Sequence, residues 1–475
     1  MLEFQANTID FSHDLTQISP LTDDLGRVKI AQAIAEQLRQ GDERPRVIGV
    51  YGWWGSGKTH LLSQTIHLLQ EGNRESKVQI IPCAFQSWKY EMTDDLAPGL
   101  IKSLMNVNEQ FDNDSLFKDP QTYKSLGQGL LDLLAIVGPV TGPAGQAAGL
   151  LAQLVKWGVG NVGERQEAIT KNVSQVDIDD ISKKMEDLVQ AILKSASDKD
   201  SSKQYRLVVF IDDLDRCSPD NMVRMFEWLK VHLAVRGCTY VLALDNIAAA
   251  RAIVGRYKKY LSSEADLEYG LRYLEKLIDQ EYELGLPLET DLQAMTIQRI
   301  FNRRYNKLSA AIGSRELYDL GSERTCYAYI NQLLALRALR NPRTMLKIGY
   351  KYKSTLDILT RSEAGPKALR EQLTENYPFW SSLLVAMYYR LAPDDVNDFI
   401  QGRGYIFGLF GSPSSISKEH WPADKASPMY QFCQLAHDLK EEAADKLVLP
   451  SPRALRHLAA IIRENAFTGA DSISL

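Results

Sequence analysis

The segment Gly52-Trp-Trp-Gly55-Ser56-Gly57-Lys58-Thr59 fits the pattern G-x-x-x-x-G-K-[ST], and no other stretch constrains this chain as strongly. It follows a short apolar run, Val47 to Tyr51, and leads through His60 into helical periodicity. A strand, a glycine turn and a helix in that order aim successive backbone N–H groups at one point. The helix N-terminus adds partial positive charge there. Such a turn is built to cradle phosphate, so Gly52, Trp53, Trp54, Gly55, Ser56, Gly57, Lys58, Thr59 and His60 are the expected nucleotide-binding residues. Lys58 is expected to reach the β- and γ-phosphates, and the Thr59 hydroxyl to ligate Mg²⁺. From average residue usage, a chance match in a chain this long has a probability of roughly 1–2%.

A phosphate loop needs a carboxylate beside it. The apolar run Leu207–Ile211 reads as a buried strand and ends in Asp212 and Asp213. Asp212 is expected to hold Mg²⁺, directly or through water. Asp213 stands where a catalytic carboxylate would orient and deprotonate the attacking water. Further strands are expected at 77–85, 238–245 and 280–287, alternating with helical patterns, which implies a parallel sheet flanked by helices. Ser218 and Pro219 form an N-cap and a first helical position. After Pro287 the strand signal fades, and 290–475 reads as helical. The expected organisation is an α/β core over 1–289, with an insertion at about 105–172, followed by an all-helical C-terminal domain over 290–475.

Composition narrows the class. With 475 residues and about 150 per domain, two or three domains are expected. Charged residues at 24% and hydrophobic residues at 45% exclude a wholly disordered or fibrous chain. Fifty-five Lys and Arg against 60 Asp and Glu leave a net charge of -5, which is no whole-chain footprint for nucleic acid. Five scattered cysteines with no CxxC pair argue against a zinc site or disulfide framework. The N-terminal MLEFQANTIDFSHDL has neither a basic start nor an apolar run, so no secretory signal is expected and a cytoplasmic location is.

Taken together, GWWGSGKT, FQSWKYE at 85–91, FIDDLDRC at 210–217, YLEKLI at 273–278 and NPR at 341–343 resemble the KAP family of P-loop NTPases, in order and spacing over roughly residues 18–350. The resemblance implies a P-loop core of the additional-strand type, with ATP and Mg²⁺ as ligands, and carries over Gly57, Lys58, Thr59, Asp212 and Asp213. LTDDLGR at 21–27 is similar to the segment that frames adenine in such proteins, which makes Arg27 a nucleotide-binding candidate. Bacterial members of the family are associated with phage exclusion and animal members with membrane-linked signalling. The implied function is an ATP-hydrolysing switch that couples nucleotide state to a partner or effector, with antiphage defence as the implied role and a homo-oligomer and an effector or sensor protein encoded nearby as the expected partners. The alternatives are a nucleotide-gated assembly scaffold that binds ATP but hydrolyses little, and a membrane-associated signalling or pore effector acting through the 126–162 insertion. A place at the periphery of the inner membrane is the alternative to a purely cytoplasmic one.

Secondary candidates have competing readings. Asn341 and Pro342 make Arg343 a first-turn residue, where a cation opposes the helix dipole. An anion should compensate; nucleotide phosphate makes Arg343 a catalytic candidate, and a surface ion pair is the alternative. Asp245 ends a strand and either senses the γ-phosphate or caps the next helix. Trp53, Trp54 and Trp88 are expected to pack the phosphate loop against the sheet rather than to stack on a base. The stretch Arg337–Lys353 holds six basic and no acidic residues, and reads as a solvated helix face.

The Gly/Ala/Leu-rich stretch 126–162 contains an uncharged run at 133–155, long enough to span a bilayer. Pro139, Pro143 and four glycines break its helicity, and each carbonyl so freed would need a partner inside hydrocarbon. A helical hairpin with its bend near Gly138–Gly145 is therefore expected, rather than a membrane span. Detergent-free lysis is expected to leave the protein out of the membrane pellet. Quantitative recovery in a carbonate-resistant, detergent-released pellet would overturn this.

Overall fold

The computed structural model describes residues 25–40, 43–73, 76–93, 96–107, 178–198, 200–258, 267–287 and 340–347, with isolated residues elsewhere. The chain divides into two compact units, Met1–Asp23 with Arg27–Gly285, and Asp24–Gly26 with Leu286–Leu475. The insertion expected at about 105–172, its hairpin and most of the expected helical domain lie outside the described residues.

Among its described residues the first unit has five strands: β1 (Arg46–Tyr51), β2 (Val78–Gln86), β3 (Gln204–Asp212), β4 (Cys238–Leu244) and β5 (Gln280–Glu283). They form one parallel sheet in the order β2-β3-β4-β1-β5. Strand β4 thus lies between β1, which leads into the phosphate loop, and β3, which carries the paired carboxylates. This is the additional-strand arrangement that the family resemblance implies. Strands buried on both faces read as continuous apolar runs instead of alternating ones, as Leu207–Ile211 and Val241–Leu244 do. Pro82 sits within β2, which among the described residues has a strand on one side only, and the missing N–H is tolerated there.

Side-chain alternation divides the core into two layers. Ile48, Val50, Val208, Phe210, Val241 and Ala243 face α1 (Val28–Gln40) and α2 (Lys58–Gly72). On the opposite face, Val47, Leu207, Val209, Ile211, Leu242 and Leu244 pack with the remaining helices. These are α3 (Ala97–Met105), α4 (Ile178–Ser197), α5 (Pro219–Val231), α6 (Asn246–Tyr257) and α7 (Leu267–Leu277). The periodic residues Ile181, Met185, Leu188 and Ile192 of α4 are all buried, as their spacing predicts. Ser218 caps α5 by accepting a hydrogen bond from the Asn221 N–H at 3.3 Å, with Pro219 at the first helical position.

Helices α6 and α7 meet closely because α7 presents Gly270. A Cβ there would lie 2.3 Å from the Ala250 carbonyl oxygen, whereas one at Gly255, an exposed residue of α6, would meet nothing. One substitution should therefore have opposite signs at two sites. Gly270→Ala is expected to destabilise by about 1–3 kcal/mol through overpacking against backbone. Gly255→Ala is expected to stabilise by about 0.5–1 kcal/mol through helix propensity. Denaturant unfolding of the two variants checks this, and equal signs would refute the close-packed α6–α7 contact.

Candidate functional site

Parallel strands end together, so the loops leaving β1, β3 and β4 meet at the C-terminal edge of the sheet, where open α/β sheets bind ligands. From β1 the chain enters the turn Gly52–Gly57, which Ser56 closes by donating its N–H to the Trp53 carbonyl at 3.0 Å. Gly55 and Gly57 have φ of 85° and 97°, left-handed values that a Cβ disfavours. Gly57 is the N-cap of α2 and brings no side-chain cap, so the first-turn N–H groups of α2 face the turn itself.

Lys58 is buried. Its Nζ donates to the Gly52 carbonyl at 2.8 Å and pairs with Asp215 Oδ2 at 2.9 Å. The same Asp215 oxygen accepts the Asp245 N–H at 3.0 Å. Asp245 in turn accepts from the Ile247 and Ala248 N–H groups and caps α6, which favours the capping reading of that residue. Asp215 reaches Lys58 because Asp213 adopts φ 57°, the one positive φ outside glycine among the described residues. That reversal opens a short 3-10 turn, Leu214–Arg216, which also returns Arg216 Nε to Asp213 Oδ1 at 2.8 Å.

Asp212, the last residue of β3, and Asp213 just beyond it are both buried, and both carboxyl groups are pushed above the usual carboxylate range. For Asp212 the chief cause is burial, opposed by a hydrogen bond from Thr59 and by the charge of Lys58. Asp213 is pushed up to about 7, by burial first and then by the adjacent Asp212 carboxylate, which together outweigh the Arg216 guanidinium. Asp212 Oδ2 is buried without a hydrogen-bond partner. So are the side-chain amide of Gln86, the Cα partner of Asp212 on β2, and the hydroxyls of Ser56 and Ser87. An uncommitted carboxylate oxygen beside a threonine hydroxyl suits a hard cation that takes oxygen ligands and retains waters. Thr59 and Asp212 therefore fit Mg²⁺.

The tryptophans depart from expectation. Trp53, Trp54 and Trp88 are 49%, 64% and 50% exposed and do not pack the loop into the sheet. They lie just beyond the ends of β1 and β2, outside the sandwiched part of the sheet. Trp54 and Trp88 instead each approach the Arg216 guanidinium, 5.8 Å from ring centroid to Cζ. Arg27 is buried, and its Nη2 donates to the Gly285 carbonyl at 2.8 Å, joining the start of α1 to the chain beyond β5. Glu91 Oε1 accepts the Ser218 N–H at 2.8 Å, which gives the acidic end of FQSWKYE a place at the start of α5. His60 lies in the first turn of α2. Arg343 belongs to the second unit, where Asn341 Oδ1 accepts the N–H groups of Arg343 and Thr344 and caps helix 342–347 as expected.

Residues 27–358 match the KAP family P-loop domain, well over half of the chain. The chain belongs to the KAP family. KAP proteins are P-loop NTPases, and nucleotide binding and hydrolysis are the activities of the family. No curated protein matched the sequence. Among solved structures, the ORC2 protein of Aeropyrum pernix, in ADPNP–ADP complexes, is similar over 94% of each chain at 10% identity and a TM-score of 0.32. A likeness that weak carries no argument about this KAP protein.

Sequence reasoning missed Asp215, Arg216 and Gln86. The signal was present in the third acid and the arginine of Asp-Asp-Leu-Asp-Arg, but no periodicity reveals a left-handed residue at 213. Lys58→Ala removes a charge suited to two phosphate hydrogen bonds at about 1.5–3 kcal/mol each, so Mg·ATP affinity should fall by at least about 100-fold in calorimetry. Unchanged affinity in that variant would end the phosphate-loop reading.

Proposed function

We propose that this KAP protein is an ATP-hydrolysing switch that passes its nucleotide state to a partner. The observation that carries the reading is the buried pair Asp212–Asp213 at the end of β3, with Thr59 against Asp212 and Lys58 nearby. In this scheme Lys58 and the α2 N-terminus hold the β- and γ-phosphates. Thr59 and Asp212 hold Mg²⁺, which when bound draws charge from the phosphoryl oxygens. Asp213 orients the attacking water and accepts its proton, a task suited to a carboxyl group that burial has moved toward neutrality. The remaining nucleotide contacts assigned to Trp53, Trp54, His60 and Arg27 belong to the same proposal.

Arg343 is retained in this proposal as a catalytic cation toward nucleotide phosphate. A homo-oligomer and a separate effector or sensor protein would complete such a switch, and antiphage defence is the role that the family resemblance suggests. Among the described residues, no helix is long and apolar enough to cross a membrane.

Asp213→Asn keeps the shape and loses the base. It is expected to bind Mg·ATP within a few-fold of wild type while turnover falls by about 10²–10⁴-fold. Arg343→Ala is expected to share that pattern of retained binding and lost turnover. Steady-state phosphate release with parallel calorimetry tests both, and undiminished turnover in Asp213→Asn would move the base elsewhere.

A further inference from the structure

Lys58 is already paired. Its ammonium lies 2.9 Å from Asp215 Oδ2, and both side chains are only 7% exposed. An ammonium has three N–H donors, and Gly52 and Asp215 occupy two of them. Phosphate oxygens approaching Lys58 therefore meet a cation whose charge is largely balanced, with a carboxylate close behind it. In a site so screened from water, two anions sharing one cation repel each other strongly.

We propose that Asp215 competes with the β- and γ-phosphates for Lys58, so that this internal carboxylate sets how tightly the loop holds nucleotide. The inference rests on the phosphate-loop reading of Lys58 and concerns a residue that the reading itself does not use. Three features support competition over a fixed structural pin. Asp215 is carried on a three-residue 3-10 turn that follows a left-handed Asp213, a short and strained segment instead of a helix or strand. Apart from Lys58, the Asp215 carboxylate accepts the Asp245 N–H, a single backbone donor that an uncharged acceptor could satisfy equally well. And Asp215 sits opposite the one loop side chain whose charge the phosphates require.

The negative charge can be removed without removing the acceptor. Asp215→Asn retains an oxygen for the Asp245 N–H and for Lys58, and loses only the competing charge. Competition for Lys58 predicts that ADP and ATP bind this variant about tenfold or more tightly than wild type, a gain of the size expected of one partly buried charge contact. AMP, which lacks the β-phosphate, should show no comparable gain. Asp215→Ser, smaller but still an acceptor, should behave in the same direction and covers the case in which the asparagine fails to fold. The measurement is calorimetry of AMP, ADP and ATP, each with Mg²⁺, against wild type and both variants, with thermal melting as the fold control. Equal or weaker ADP and ATP binding in folded variants would overturn the proposal. So would a gain of equal size for all three nucleotides, since that would report loop stability and not phosphate charge. If wild type binds none of them, the phosphate-loop reading falls, and the proposal with it. A wild type that binds ADP alongside a variant that gains nothing removes the proposal alone.

Discussion

A buried ammonium must be paired, and the arrangement around Lys58 follows from that requirement. The glycine turn draws the lysine inward at the head of α2, where water cannot solvate it. The turn supplies one acceptor, the Gly52 carbonyl, and the other comes from Asp215, more than 150 residues later in the chain. To deliver it, β3 has to end two positions from β1, with β4 between them, and the chain has to reverse at once beyond Asp212. The left-handed Asp213 makes that reversal. A residue with a Cβ held in that conformation costs free energy, and the surrounding contacts, the Arg216 pair among them, hold it in place.

The same edge of the sheet gathers polar groups that the interior would not tolerate elsewhere. The buried runs Val47–Val50, Leu207–Ile211 and Val241–Leu244 are apolar throughout, yet the last residues of β2 and β3 are Gln86 and Asp212. Their unpartnered atoms lie at the point where the apolar layers stop. Buried polar atoms of this kind are rare in folded chains and mark places that expect a ligand or water. Here they accompany the Thr59 hydroxyl, so the donors suited to a magnesium ion and its waters come from β2, β3 and α2 together.

Much of this was legible in the sequence, for a physical reason. Central strands of a parallel sheet are buried on both sides, so Val47–Tyr51, Leu207–Ile211 and 238–245 announced themselves by unbroken hydrophobicity. The Ser218–Pro219 and Asn341–Pro342 pairs encode helix starts in the chemistry of one or two side chains. The misreadings share a cause too. Trp53, Trp54 and Trp88 have the residue type of a core, but their exposure depends on where the strands stop, and no local pattern fixes that. Asp215 was passed over because its value comes from a backbone reversal two residues earlier, at an aspartate, a residue type that visits the left-handed region only occasionally. The two readings of Asp245 could be separated only by seeing which donors its carboxylate accepts.

The tryptophans at the rim also give the phosphate loop an optical signature. An indole half open to water emits at longer wavelength than one sealed in a core, and a nearby guanidinium makes that emission sensitive to its position. Trp53 and Trp54 are part of the loop itself, and Trp88 shares the Arg216 guanidinium with Trp54. Three of the chain's seven tryptophans therefore sit around the one site whose charge state matters most. Any rearrangement of Arg216 relative to Asp213 alters the electric field at two of these rings at once. The protein consequently carries an intrinsic fluorophore array in its loop, and events there can be followed in the unlabelled chain.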